Sequence, residues 1–256
     1  MVGGTVEYVV EDEIARIRLN RPDRLNAVIP ELIENLLWAL ERARRDGVGA
    51  AVLAGRGRAF CSGADLKHEE PPVGEAEERR RLQRMQDVTR GIRQSPFPVI
   101  AAVHGYALGA GCEFALCCDL VVASSDAAFG FPEVQVGRSM TGGITHVLPL
   151  AVGLVRAKEL VLLGERFGAE KAESLGLINA VVEPEELEEA ALGIARRISG
   201  LPRGAVSRAK FAVDRGAQSD IGAAYEVEVD YALAARRSGE SVRAAEEFRA
   251  SDEEGR

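Results

Sequence analysis

The spacing of apolar and polar positions changes period several times along the chain, and each change marks an element. Thr5 to Val10 and Ile14 to Leu19 read as two strands joined by the acidic turn Glu11-Asp12-Glu13. In the second, Ala15, Ile17 and Leu19 fall on one face and Arg16 and Arg18 on the other, the alternation of a half-buried strand. From Pro30 to Asp46 the period lengthens. Leu32, Leu36 and Leu40 recur every four residues with Ile33 and Leu37 beside them, which predicts an amphipathic helix ended by Gly47. Val48 to Ala54 is a continuous apolar run, predicted as a buried strand, and it enters a glycine-punctuated loop from Gly55 to Asp65.

Residues 67 to 81 are polar, with Pro71-Pro72 and a run of charges, and predict a mobile loop leading into a helix that ends near Gln94. Pro98 to Val103 reads as another buried strand and Gly105 to Gly111 as another glycine-rich loop. A short helix from about Ala110 to Cys117 then precedes a strand at Leu120 to Ala123. This repeated strand–helix order predicts an α/β or mixed architecture with helices covering a sheet. After Gly142 the pattern is nearly all helical. Leu187, Ala191, Ile194 and Ile198 mark one amphipathic helix, and further helices are expected at Pro202 to Arg215, Asp220 to Arg237 and Glu240 to Ala250. A helical C-terminal third with exposed aliphatic residues suits packing on a neighbouring subunit. No internal repeat or low-complexity tract is visible.

Composition narrows the function. The chain has 256 residues and a mass of 27.4 kDa, room for one large domain or two small ones. With a net charge of −8 it lacks the broad basic surface of a non-specific nucleic-acid binder, although anions can still bind where cations cluster. Cys61, Cys112, Cys117 and Cys118 sit mostly in apolar sequence without CxxC spacing or a nearby histidine. They read as reduced thiols in a cytoplasmic protein, with neither disulfides nor a metal site expected. Met1 to Glu13 carries acids and no apolar core, so no signal peptide is predicted, and no apolar run is long enough to predict a membrane span.

Two loops are candidates for chemistry. His104 to Glu113 follows a buried strand and opens a helix, and its small residues would let a ligand approach the backbone. It is neither a dinucleotide fingerprint nor a phosphate loop. Cys61-Ser62-Gly63-Ala64-Asp65 also follows a buried strand. Each loop could donate one amide to a single anion, the geometry of an oxyanion hole, or both could be ordinary tight turns. Glu113 and Glu133 stand among apolar neighbours, where a carboxyl holds its proton near neutrality and can act as acid or base. Either could instead be a surface glutamate favouring a helix start. Asp65 beside Lys67 reads as a loop salt pair. Arg79-Arg80-Arg81 reads as a solvated helix face, or more sharply as a phosphate contact. No Gly-x-Ser-x-Gly nucleophile elbow occurs.

Assembled, these residues resemble the crotonase superfamily, the enoyl-CoA hydratase/isomerase family. Asn20-Arg21-Pro22 with Asn26-Ala27 resembles its N-terminal signature, Phe60 to Lys67 its first oxyanion loop, Pro98 to Asp119 its central signature and Phe129 to Gly137 its second acidic segment. The likeness runs from about Val6 to Arg249. It implies a spiral of ββα units over residues 1–195 that carries an acyl-CoA site. A helical oligomerisation region would follow over 196–256, in a homotrimer or homohexamer. It implies that the amides of Ala64 and Ala110 hold the thioester oxygen, with Asp65, Leu66, Lys67, Gly109 and Arg249 near the substrate or its coenzyme A. Both glutamates match the hydratase pattern, whereas isomerases commonly keep only the second. The implied reaction is addition of water to a trans-2-enoyl-CoA, with no cofactor beyond the coenzyme A of the substrate. Isomerisation, decarboxylation and thioester hydrolysis are the alternatives within the family. Arg138-Ser139-Met140-Thr141-Gly142-Gly143 departs from a frequent Pro-Gly-x-Gly-Gly, a change at the acyl pocket. Ala245 to Arg249 departs from a frequent Phe-x-Glu-Lys-Arg, which leaves Lys67 as the candidate for a phosphate contact.

Overall fold

The computed structural model describes residues 4–68, 71–239 and 249. Strand β1 (Val6–Glu11) turns through Asp12 and Glu13, both at positive φ, into β2 (Ile14–Leu19), and the two pair antiparallel with Val6 opposite Leu19. The remaining long strands, β3 (Ala50–Gly55), β4 (Val99–Val103) and β6 (Leu120–Ser124), add in parallel, as does the short β9 (Ala180–Val182). The resulting sheet has the order β1-β2-β3-β4-β6-β9. A second sheet joins β5 (Tyr106–Leu108), β7 (Ala128–Gly130) and β8 (Phe167–Gly168).

Alternation along the strands divides the core. Ala15, Ile17, Leu19, Ala51, Leu53, Ala101 and Val103 face one cluster, which also contains Phe60, Phe114 and Phe129. Helix α1 (Pro30–Asp46) closes this side with Leu32, Ile33, Leu36, Ala39, Leu40 and Ala43, and Gly47 ends it in the left-handed conformation. Helices α2 (Glu75–Arg93) and α3 (Ala110–Leu116) belong to the same side, with Val88, Ile92, Cys112 and Phe114 in the cluster. Ile14, Ala50, Val52, Ile100, Ala102 and Val122 face the other way, onto Leu187, Ala191 and Ala195 of helix α7 (Leu187–Ser199). Between these lie α4 (Ile144–Val152), α5 (Leu154–Leu163) and α6 (Ala169–Ser174). Residue 195, the expected division between core and helical region, lies within α7.

The expected α/β architecture with a helical C-terminal part is present. One expectation needs correction: the stretch Gly105 to Gly111 is not wholly loop, because β5 runs through it. The described chain after Gly142 is nearly all helical, with only β8 and β9 interrupting it. These strands are two or three residues long, and their hydrogen-bond partners lie far away in sequence, so no local alternation announces them. Helices α8 (Arg203–Gly216) and α9 (Ile221–Arg237) match the predicted segments, and Asp220 caps α9 by accepting from the N–H groups of Gly222 and Ala223. The helix expected at Glu240 to Ala250 falls outside the described residues except for Arg249, which is helical and exposed. The expected mobile loop contains residues 69 and 70, which also lie outside them.

Candidate active site

The first glycine-punctuated loop is held against β5 by main-chain bonds. Cys61 donates its N–H to Tyr106 O at 2.8 Å, and Leu108 donates to Cys61 O at 3.0 Å. Gly63, at φ +88°, is where the two loops meet: a Cβ there would stand 2.7 Å from Leu108 O and 3.6 Å from the Ala110 nitrogen. Only glycine tolerates both the dihedral and the approach. Among the described residues, neither the Ala64 N–H nor the Ala110 N–H donates to another group. Two unengaged donors from different loops are therefore brought to one place.

Asn26 and Arg21 fix the outer side of this arrangement. The buried Asn26 side chain accepts from Arg21 N at 2.8 Å and donates to Arg56 O at 2.9 Å and Ala59 O at 2.8 Å. Arg21 pairs with Asp65 at 3.0 Å, and the other Asp65 oxygen accepts from the Lys67 backbone N–H. The expected Asp65–Lys67 salt pair is thus corrected: the cation is Arg21, and Lys67 contributes only its amide. Burial would raise the Asp65 carboxyl, but the Lys67 N–H and the Arg21 guanidinium outweigh it and hold the group below its ordinary value. Asp65 shapes the loop, while Leu66 and Lys67 remain exposed beside it.

Glu113 lies on α3 with only 1% of its surface exposed. Its Oε1 accepts from the Thr141 backbone N–H at 2.7 Å and its Oε2 from the Thr141 hydroxyl at 2.8 Å. Burial raises its pKa, and the two bonds from Thr141 oppose that rise. Glu133 sits on a 3-10 turn, Pro132–Val136. Its Oε2 is shut off from solvent and has no hydrogen-bond partner. Burial raises its pKa, its own N–H pulls the other way, and the Glu113 charge adds to the rise. Gly109, at φ +53°, lies directly under it: a Cβ there would come within 3.0 Å of Glu133 Oε1. The loop that runs into α3 and both acids thus form one constellation.

Arg80 pairs with Glu77 and Arg81 lies 3.9 Å from Glu78, the pattern of a solvated helix face. A cavity of about 380 Å³ opens elsewhere, between the far face of the main sheet and α7, with Arg16, Arg18, Arg56 and Glu188 among its lining residues. Those arginines are met by glutamates, and neither Glu113 nor Glu133 borders it. Sequence reasoning missed Thr141 as a partner of Glu113 and the roles of Arg21 and Asn26. Thr141 lies in the segment that departs from the frequent glycine-rich pattern, which was the available signal.

Residues 10–248 match the family model described as Enoyl-CoA hydratase/isomerase. The chain belongs to this family. A short-chain-enoyl-CoA hydratase of Clostridium acetobutylicum is 38% identical over 220 residues, covering 85% of this chain and 84% of that protein. A crotonyl-CoA hydratase of Syntrophomonas wolfei is also 38% identical, over 223 residues, with 86% and 85% covered. The solved enoyl-CoA hydratase of Bacillus anthracis superposes with a TM-score of 0.91 at 31% identity and covers 97% of each chain. The enoyl-CoA hydratase/isomerase fold therefore extends over essentially the whole protein. All four cysteines are free, three of them buried, and no described helix is long and apolar enough to cross a membrane.

Proposed function

We propose that this protein is an enoyl-CoA hydratase that adds water across the double bond of a trans-2-enoyl-CoA. The observation that carries the reading is a pair of carboxylates, the buried Glu113 and the half-buried Glu133 with its enclosed Oε2, beside two unengaged amides. The amides of Ala64 and Ala110 receive the thioester oxygen. Glu113 takes a proton from water as its oxygen bonds to C3. The π electrons move through C2 and C1 onto the thioester oxygen, and the resulting enolate collapses as Glu133 delivers a proton to C2. Exchange with solvent then restores the starting charges. Each oxyanion donor contributes about 3–4 kcal/mol in comparable sites. The scheme uses only these carboxylates and amides. The exposed Lys67 is the candidate contact for coenzyme A phosphates, and Leu66 borders the same entrance.

The same reading includes a homotrimer or homohexamer. Ile221, Tyr225, Val229 and Leu233 recur every four residues along α9 and are 68%, 61%, 55% and 47% exposed, an apolar stripe suited to a second copy. Free thiols fit a reducing compartment such as the cytoplasm. The test is a panel of enoyl-CoA thioesters, beginning with the crotonyl thioester, with products identified by mass. A gain of one water supports hydration. A product of unchanged mass with a shifted double bond, or loss of CO₂ or of free coenzyme A, overturns it.

A further inference from the structure

Thr141 offers Glu113 two donors from one residue. The backbone N–H can only donate, so Glu113 Oε1 is an acceptor in every state. The hydroxyl is different. It has one hydrogen and two acceptors in reach, Glu113 Oε2 at 2.8 Å and Met85 Sδ at 3.4 Å, and one hydrogen cannot serve both well. While Glu113 is an anion, the hydrogen belongs to Oε2, because a charged acceptor binds it more strongly than a thioether does. Once Oε2 carries a proton it must donate, Oγ1 becomes the acceptor, and the hydroxyl hydrogen turns to Met85. Both protonation states are then fully bonded.

Nothing comparable serves Glu133, whose Oε2 has no partner. The titratable groups facing Glu113 are Glu133 on the opposite turn and the thiols of Cys112 and Cys117 on its own helix, with Arg93 and Asp214 beyond Cys117. From α2 come Met85 and Thr89, which are uncharged, and Gly142 packs beside both Thr89 and the carboxylate. Thr141 is therefore the group whose hydrogen bonding distinguishes the two acids.

We propose that Thr141 is the positioning residue of the base. It fixes the Glu113 carboxylate and, by turning its hydroxyl between Glu113 and Met85, keeps that carboxyl bonded before and after it takes the proton from water. The proposal rests on the hydratase reading for its role in turnover, but the turning hydroxyl is measurable without turnover.

The experiment is an infrared difference titration of the Glu113 carboxyl, its band assigned by loss in Glu113→Gln, alongside the pH dependence of crotonyl-thioester hydration. Thr141→Val keeps the N–H and removes the hydroxyl. It should move the Glu113 titration and the acid limb of kcat/KM upward by about one pH unit, the size of one lost charge-assisted bond. It should lower kcat roughly tenfold with little change in KM. Thr141→Ser should restore both. Met85→Leu removes the acceptor used only by the protonated state, and should move the titration the opposite way, downward by a few tenths of a unit. An unmoved titration in Thr141→Val, a Ser variant as impaired as Val, or a titration not lowered by Met85→Leu overturns the proposal. Failure of the wild-type protein to hydrate any enoyl thioester would instead overturn the hydratase reading, and the infrared titration would still decide the role of Thr141.

Discussion

Lys210 of α8 places its ammonium 2.8 Å from a carboxylate oxygen of Asp119, at the junction between α3 and β6. The same nitrogen donates to Ile92 O at 3.1 Å and Phe97 O at 3.2 Å, so all three of its protons are used. Asp119 also accepts from Val99 N. One side chain, 5% exposed, thereby fastens a helix that has no buried residues of its own to the end of α2 and the start of β4.

Lys210→Met should therefore be strongly destabilising. It removes one partner of a largely buried pair and leaves Asp119 without its counter-charge, a loss of about 3 kcal/mol in comparable cases. Burial already raises the Asp119 carboxyl despite Lys210, so acid should relieve the variant by protonating it. Denaturant titrations should show a large deficit at neutral pH that narrows towards pH 4.

Glu113→Gln and Glu133→Gln should each lower hydration by about 10²-fold or more, the range of general acid–base catalysis. Steady-state assays of the double variant should show a loss well short of the product of the singles, because the two groups serve one addition and removing either already disables it. Full activity in Glu113→Gln would transfer the reaction to Glu133 alone, the pattern of an isomerase.

Glu133→Gln should also stabilise the fold while lowering turnover. The folded state holds the Glu133 proton more tightly than the unfolded chain does, so stability falls as pH rises from the ordinary carboxylate value of 4.5 through the raised one. An amide carries no charge to desolvate. Thermal melts should show a higher Tm for the variant at pH 7, with the gain shrinking towards pH 4.5.

Val229→Glu, at the middle of the α9 stripe, should break the assembly. A charge there would be buried without a partner if copies associate through this face. Light scattering should give a multiple of 27.4 kDa for the wild type and 27.4 kDa for the variant.

The sequence exposes what is local. The alternation of β2 and the four-residue stripe of α1 announce their elements, since each depends on neighbours along the chain. Glu113 and Glu133 stand out for the same reason, as acids inside apolar runs. What stays hidden depends on partners that only the fold supplies. Asp65 has Lys67 two residues away, yet pairs with Arg21, which lies 44 positions distant. Lys210 reads as one more cation on an amphipathic helix, and Thr141 as one more small polar residue. Strands β5, β8 and β9 are too short to show a period at all.

The zipper between Cys61 and β5 has an evolutionary consequence. The loops that carry Ala64 and Ala110 are joined by main-chain bonds and by the close approach of Gly63, with Asn26 and the Arg21–Asp65 pair bracing the outer side. A substitution at Gly63 would break that approach, whereas changes elsewhere in the loops can leave the main-chain bonds in place. Substitutions that change the surroundings of an acid without disturbing these bonds fall instead in stretches such as 138–143, where Thr141 bonds Glu113. Changes there can alter the setting of an acid while the main-chain bonds between the two loops stay as they are, and this chain carries its departures from the frequent glycine-rich pattern in that segment.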